Sequence, residues 1–386
     1  MKTAQGAAFF ALASVAAGVL HYLFQLWAAT RLSSLEFGEL TSWIAYYSIA
    51  LSLGAFAQYA ANFFSTRPRT LKILSWGAVS VGLLSLGGPF YLPHADGFAV
   101  ALIGVFLGVI FSWFTGQAQS KLAFVVMGLG TLLTGIAKFV LAGANFPVDN
   151  PSIEMAWAVA LSYAPGLVWM AATMVLFANR WTLIREKRRR LARGLGATAL
   201  LSFASVYIPQ MDVVAIHRTQ TPEIIGEFAK IALLYKAVFF GFLIFAQWLL
   251  PHQISEHTSS YTLVRWISVN RWRVLIASAV IGLAAFVASL TIGTRLNPAL
   301  KDQLLWIFLS CVNMVFLTNL FFCVQVACVR EKLLRPALIC LALITELILS
   351  MILKLPVTDY LTLAIIFNGM VWLVLTHEPE PRKAVA

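Results

Sequence analysis

Along this chain, apolar runs of bilayer-spanning length alternate with short polar gaps. A membrane-spanning helix needs about 20 predominantly apolar residues. The pattern predicts twelve such segments, at 5–29, 40–63, 73–92, 97–115, 122–143, 153–178, 195–217, 228–250, 274–293, 303–327, 336–355 and 359–376. Helix breakers occupy the gaps: Pro68, Pro93, Pro147, Pro151, Pro222, Pro251, Pro298 and Pro356. A further break is expected across Gly116–Lys121. Backbone amides in lipid must be satisfied within their own segment, so the spans are expected to be helices. The first run, which follows Lys2 and extends from Ala7 past Trp27, exceeds the apolar core of about 7–15 residues found in signal peptides. It is read as a retained span. The expected fold class is an all-α polytopic membrane protein.

Composition removes the soluble alternatives. Of 386 residues, 60% are hydrophobic and 11% charged, with a mean hydropathy of +0.83. A soluble domain carries about 25% charged residues. The net charge of +12 would point to nucleic acid in a soluble chain. Here most Lys and Arg residues fall in short gaps between apolar runs, as in cytoplasmic loops, which excludes a nucleic-acid partner. With the N-terminus inside, twenty Lys and Arg residues fall on the inner side and six on the outer. That asymmetry predicts a multi-pass protein of the cytoplasmic (inner) membrane with both termini cytoplasmic. The densest basic gap, Arg185 to Arg193, reads first as an anchor on anionic membrane lipid.

The same gap divides the chain into six spans and six spans. The expected organisation is an N-terminal lobe at 1–179, a basic linker at 180–194, a C-terminal lobe at 195–376 and a tail at 377–386. Landmarks recur between the halves. Phe37-Gly38-Glu39-Leu40, read as the turn after span 1, is matched by Ile225-Gly226-Glu227-Phe228 after span 7. Phe56-Ala57-Gln58-Tyr59 in span 2 is matched by Phe245-Ala246-Gln247-Trp248 in span 8, and Tyr47 by Tyr235. Six spans restore the starting side of the membrane, so the repeat is parallel, and two such lobes enclose a central cavity.

Soluble-type catalysis has little support. The histidines are scattered without HExxH, no phosphate-binding loop occurs, and no cofactor or metal is expected. Cys311, Cys323, Cys328 and Cys340 lie in or beside apolar segments and read as small core residues. Gly104 and Gly108 form a GxxxG, read as a close helix contact. The informative residues are ionisable groups inside spans, each costing of order 3 kcal/mol at mid-membrane. They are Lys138 in span 5, Asp212 in span 7, Lys236 in span 8 and Glu346 in span 11. Two cations, one in each half, suit an anionic ligand such as a pyrophosphate. Two acids suit a proton or cation relay. A structural ion pair between Asp212 and Lys236 is the alternative. Gln25, Gln58, Gln247, Asn313 and Gln325 are placed either along a polar lumen or in interhelical hydrogen bonds.

Several short stretches carry a family likeness. They are Thr30-Arg31-Leu32 with Phe37-Gly38-Glu39-Leu40, Asp212 followed by Ile225-Gly226-Glu227-Phe228, Pro251-Gln253-Ile254-Ser255, and Cys328-Arg330-Lys332. With the six-plus-six layout, they resemble the multidrug/oligosaccharidyl-lipid/polysaccharide exporter (MOP) superfamily, and within it the Wzx-type polysaccharide flippases. The resemblance implies a V-shaped pair of lobes working by alternating access. It also implies a polyprenyl-pyrophosphate oligosaccharide as substrate, with polysaccharide polymerases or glycosyltransferases as partners. The family's basic cavity residues would fall on Lys138 and Lys236. Two departures are evident: the chain is short for the family, and spans 11 and 12 lack its Gly-rich stretch. An ion-coupled multidrug or metabolite antiporter of the same superfamily, and a membrane polymerase or ligase, are the rival functions.

Overall fold

The computed structural model describes residues 3–64, 95–144, 146, 150–176, 191–254, 271–288, 290–291, 302–330 and 332–375. The span expected at 73–92, most of the basic linker, and the residues after Leu375 lie outside the described residues. Fourteen α-helices are described: α1 (Thr3–Arg31), α2 (Ser34–Ala50), α3 (Ser52–Phe64), α4 (Ala95–Ser120), α5 (Phe124–Ala142), α6 (Pro151–Leu161), α7 (Tyr163–Leu176), α8 (Leu191–Tyr207), α9 (Met211–Thr219), α10 (Pro222–Ile254), α11 (Arg271–Ala288), α12 (Leu304–Val329), α13 (Leu334–Leu353) and α14 (Val357–Leu375). No strand occurs among the described residues. Eight helical stretches are long and apolar enough to cross a membrane, and nine if the bent α8–α9 pair counts as one span.

Local chemistry explains the boundaries. Ser33 caps α2 in a capping box: its hydroxyl accepts from the Glu36 amide, and the Glu36 carboxylate accepts from the Ser33 amide at 2.8 Å. Helix α6 starts on the Asn150 cap with Pro151 in its first turn, where a missing N–H is harmless. Between α4 and α5 the chain reverses through Leu122, which is left-handed at φ 54. The Ala123 amide there bonds to the Ala118 carbonyl at 2.8 Å, the six-to-one bond of a Schellman motif.

Several expected boundaries need correction. The Phe37–Leu40 and Ile225–Phe228 motifs are not turns. They lie in the opening turns of α2 and α10, where Glu39 and Glu227 find hydroxyl partners in Ser152 and Ser34. Glu39 and Glu227 looked like loop residues because of their charge, but a carboxylate near a helix N-terminus is favoured. The linker expected to end at residue 194 gives way to helix at Leu191. Gly116 does not break span 4. Helix α4 runs on to Ser120, and a side chain on Gly116 would strike the Gln58 carbonyl and Ala61. Spans 2 and 6 are each two helices joined end to end at Leu51 and Ser162, both right-handed helical residues. Span 7 is broken: α8 and α9 meet at 57° across Ile208–Gln210, where Pro209 removes a helix donor. The GxxxG behaves as expected, with Gly104 against Tyr47 and Ala160, and Gly108 against Leu51.

Helix packing repeats between the halves. Helix α1 packs on α5, and α8 and α9 pack on α13. Helix α3 packs on α4, as α10 does on α12. Helices α6 and α7 contact both α4 and α5, as α14 contacts both α12 and α13. Across the middle, α2 lies against α10, while α1–α10 and α3–α8 form two matching flanks. The described helices thus form two related lobes of one bundle.

Close approach predicts where volume is forbidden. Gly116→Ala should lower stability by about 1–3 kcal/mol through overpacking. Gly18, with no atom near its would-be Cβ, should tolerate Ala or gain about 0.5–1 kcal/mol. Thermal unfolding followed by size-exclusion chromatography in detergent separates the two. Equal midpoints would contradict the packing.

Candidate functional site

The break between α8 and α9 places Gln210 and Asp212 beside α10. Asp212 is 2% exposed. One carboxylate oxygen, Oδ1, accepts from the Val213 amide at 2.7 Å and lies 3.5 Å from the Lys236 ammonium. The other accepts from the Tyr235 hydroxyl. Lys236 also donates to Gln210 Oε1 at 3.2 Å. The ion pair expected between adjacent helices is therefore formed, and the sequence reading had missed Tyr235 and Gln210 as its partners.

Lys236 occupies a particular place on α10. Gly226 meets Ser34, Ala229 packs into the core of the first lobe, Ile244 packs against another first-lobe cluster, and the Gln247 carbonyl accepts from Gln119. These positions form one helical stripe facing the first lobe. Phe228, Ala232, Tyr235 and Phe239 form the stripe buried in the second lobe's core. At 3.6 residues per turn, Lys236 falls on the border between the two stripes. Its ammonium reaches into the second lobe while its Cα stands at the edge of the face between lobes.

Glu346 on α13 completes an acidic cluster. It is 1% exposed, and neither carboxyl oxygen has a well-formed hydrogen bond. Asn368 of α14 stands beside it and donates to Asn313 Oδ1 at 2.9 Å. Asp212, Tyr207 and Tyr360 lie within electrostatic reach of the same carboxyl. The structure thus joins Asp212, Lys236 and Glu346, which the sequence reading named separately. It also adds Tyr207, Tyr235, Tyr360 and Asn368, whose polar tips were hidden inside apolar runs.

The first lobe holds Lys138 apart from this cluster. Lys138 is half-buried on α5, with no carboxylate partner among the described residues. His21 of α1 is close enough to sense its charge, and the His21 Nδ1 is buried without a hydrogen bond. Gln25, also on α1, is half-buried.

Two of the candidate glutamines, Gln58 and Gln325, act as interhelical connectors through their side chains, and Gln247 takes part through its backbone carbonyl. Gln58 donates to Gln119 Oε1 at 3.1 Å, Asn62 donates to the same oxygen at 2.8 Å, and Gln119 itself donates to the Gln247 carbonyl. Gln325 donates to the Ala246 carbonyl at 2.9 Å. The two Phe-Ala-Gln motifs are thus held by glutamines from α4 and α12, the paired helices of the two lobes. At the opposite end of α10, Glu227 accepts from Ser34 at 3.1 Å, pairs with Lys230 at 3.1 Å and accepts from Gln303 at 3.3 Å. Ser42 and His217 Nδ1 are 2.7 Å apart on the same side. Polar contacts therefore tie the lobes together at both ends of α10.

Solved structures share this architecture. A point mutant of the Vibrio cholerae MATE transporter VcmN is similar at a TM-score of 0.65 with 15% identity, covering 97% of this chain and 97% of that one. A MATE in complex with MaD5 gives 0.64 at 12% identity, covering 97% and 94%. The outward-facing conformation of a multidrug resistance MATE family transporter of the MOP superfamily gives 0.63 at 12%, again covering 97% and 94%. No protein-family model and no curated protein matches the sequence. The fold is that of these MATE structures, which have twelve transmembrane helices in two lobes.

A hydrogen bond to a charged acceptor contributes about 1.5–3 kcal/mol. Tyr235→Phe should therefore lower the thermal midpoint by that equivalent while leaving a monodisperse bundle. An unchanged midpoint would mean the bond adds nothing.

Proposed function

We propose that the chain is an alternating-access transporter that moves a polyprenyl-pyrophosphate-linked oligosaccharide across the cytoplasmic membrane, for cell-surface polysaccharide synthesis. The carrying observation is Lys236, a buried cation at the border of the face between the lobes. Lys138 in the first lobe, without a carboxylate partner among the described residues, supports the same substrate charge. A sugar-pyrophosphate head cannot cross hydrocarbon alone, but its polyprenyl tail can stay in lipid. Cations hold the diphosphate while amides and aromatic rings take the sugar. Rocking of the lobes changes which end of the cleft is open.

Asp212 and Glu346 are the proposed coupling pair. An ionised carboxylate without donors in a bundle interior costs several kcal/mol. Glu346 therefore needs a proton or a cation, and Asp212 stands within its reach. This acidic cluster also supports the second reading, an ion-coupled multidrug or metabolite antiporter; one of the similar structures is described as a multidrug resistance MATE family transporter. No soluble catalytic domain fits between the described helices, so the polymerase or ligase reading is the weakest.

Lipid extraction from a strain lacking the gene tests the reading. Accumulation of polyprenyl-pyrophosphate oligosaccharide with its glycan still facing the cytoplasm is expected. Unchanged lipid carriers would favour the antiporter, and stalled units on the outer face would favour the enzyme. In a complementation assay, Lys236→Ala should abolish transport at normal abundance in the membrane, and Lys236→Arg should retain more function. Full activity of Lys236→Ala would remove that residue from the mechanism.

A further inference from the structure

We propose that Lys236 is a switch, shared between Asp212 and an anionic group in the cleft between the lobes, so that anion binding and protonation of Asp212 are one coupled event. The proposal rests on the anionic-substrate reading above and deepens it.

The charge inventory is the first argument. Asp212 is faced by Lys236 and Tyr235 from α10, by Glu346 from α13 and by Tyr360 from α14. Tyr207, at the end of α8, lies beside Glu346, and Cys311 of α12 lies beside Tyr235. Helix α2, also against α9, offers Ser42 to His217. Among these described groups Lys236 is the one cation within reach of Asp212, whose carboxylate also stands within reach of Glu346. Removing Lys236 leaves Asp212 with a tyrosine hydroxyl and one amide.

Position is the second argument. Lys236 is rooted at the border between the stripe of α10 buried in the second lobe and the stripe that meets the first. Its four-carbon stem lets the ammonium swing between the two sides without moving the helix. The bond to Asp212 is long at 3.5 Å, and the accompanying contact is to a neutral amide, Gln210. Both partners are weak compared with a diphosphate, which carries more charge.

The proton balance follows. With Lys236 on Asp212, the pair is neutral. When a diphosphate draws the ammonium away, Asp212 is left as an uncompensated carboxylate beside Glu346. A buried charge stripped of its partner costs several kcal/mol. A proton from water then joins the Asp212 carboxylate and restores neutrality, while the Lys236 charge goes to the anion. Anion binding therefore takes up a proton, and by reciprocity protonation tightens anion binding. Release of the anion returns Lys236 to Asp212 and expels the proton.

Calorimetry on the purified full-length protein in detergent tests this, with inorganic pyrophosphate as the probe and two buffers of different ionisation enthalpy. Asp212→Asn frees Lys236 permanently and should bind pyrophosphate roughly fivefold tighter or more. The wild type should take up more protons than Asp212→Asn; the probe's own protonation is common to both and cancels. Lys236→Gln should lose binding. Equal affinity and equal proton uptake in wild type and Asp212→Asn would overturn the switch. If Lys138→Ala abolishes binding while both Asp212→Asn and Lys236→Gln bind as wild type, the anionic-substrate reading stands and the switch falls. If pyrophosphate binds neither wild type nor Asp212→Asn, and tetraphenylphosphonium binds Lys236→Gln more tightly than wild type, both fall.

Discussion

A charge buried in a membrane bundle must be matched, and in this protein the matching is concentrated on one short stretch of backbone. Pro209 interrupts span 7, and the break presents Asp212 at the start of a new helix. There the carboxylate gains its own helix amide, the Tyr235 hydroxyl and the Lys236 ammonium. The helix start favours the negative charge, while the ion pair offsets the desolvation of both groups. Without the break, Asp212 would face α10 from a continuous helix, with no amide to spare. Through this arrangement α9 is tied to α10, the helix that meets both lobes.

The duplicated design lets one helix type solve two problems. In the first lobe, α3 and α4 are joined by amides from Gln58, Asn62 and Gln119. In the second lobe, Gln325 of α12 performs the same service for α10. Gln119 then reaches beyond its own lobe to α10. Glu227, Lys230 and Ser34 hold the other end. The proposed alternating access requires one of these sets to break while the other holds. Polar contacts of this kind can exchange partners with water, which a tightly packed apolar seam cannot do so cheaply.

Much of this was legible from residue order. The spans were visible because each needs about 20 apolar residues, and the recurring Phe-Ala-Gln and Gly-Glu stretches announced two related halves. Asp212, Lys236 and Glu346 stood out because charge is rare in such segments. Other features were hidden for physical reasons. Glu39 and Glu227 resembled loop residues because a partnered carboxylate in a helix's opening turns looks, in sequence, like a solvated one. Tyr235, Tyr207 and Tyr360 resembled core aromatics because a tyrosine's ring is apolar and only its hydroxyl reports function. Gln119 fell in an expected gap, since Gly116 suggested an end to the helix when it was making room for α3. The joints at Leu51 and Ser162 keep right-handed helical geometry and leave no breaker residue to be seen.

In the proposed function these lobes carry an anionic lipid-linked head group from one leaflet to the other, with Lys236 as its cation. Proteoliposomes containing the purified protein and a fluorescent polyprenyl-pyrophosphate oligosaccharide, with a membrane-impermeant quencher added outside, measure that crossing directly. Quenching should proceed beyond the outer-leaflet fraction, faster when the vesicle interior is the more acidic side, and Lys236→Ala should stop at that fraction. Quenching that halts at the outer leaflet with wild-type protein, in vesicles that expel an organic cation, would contradict that function.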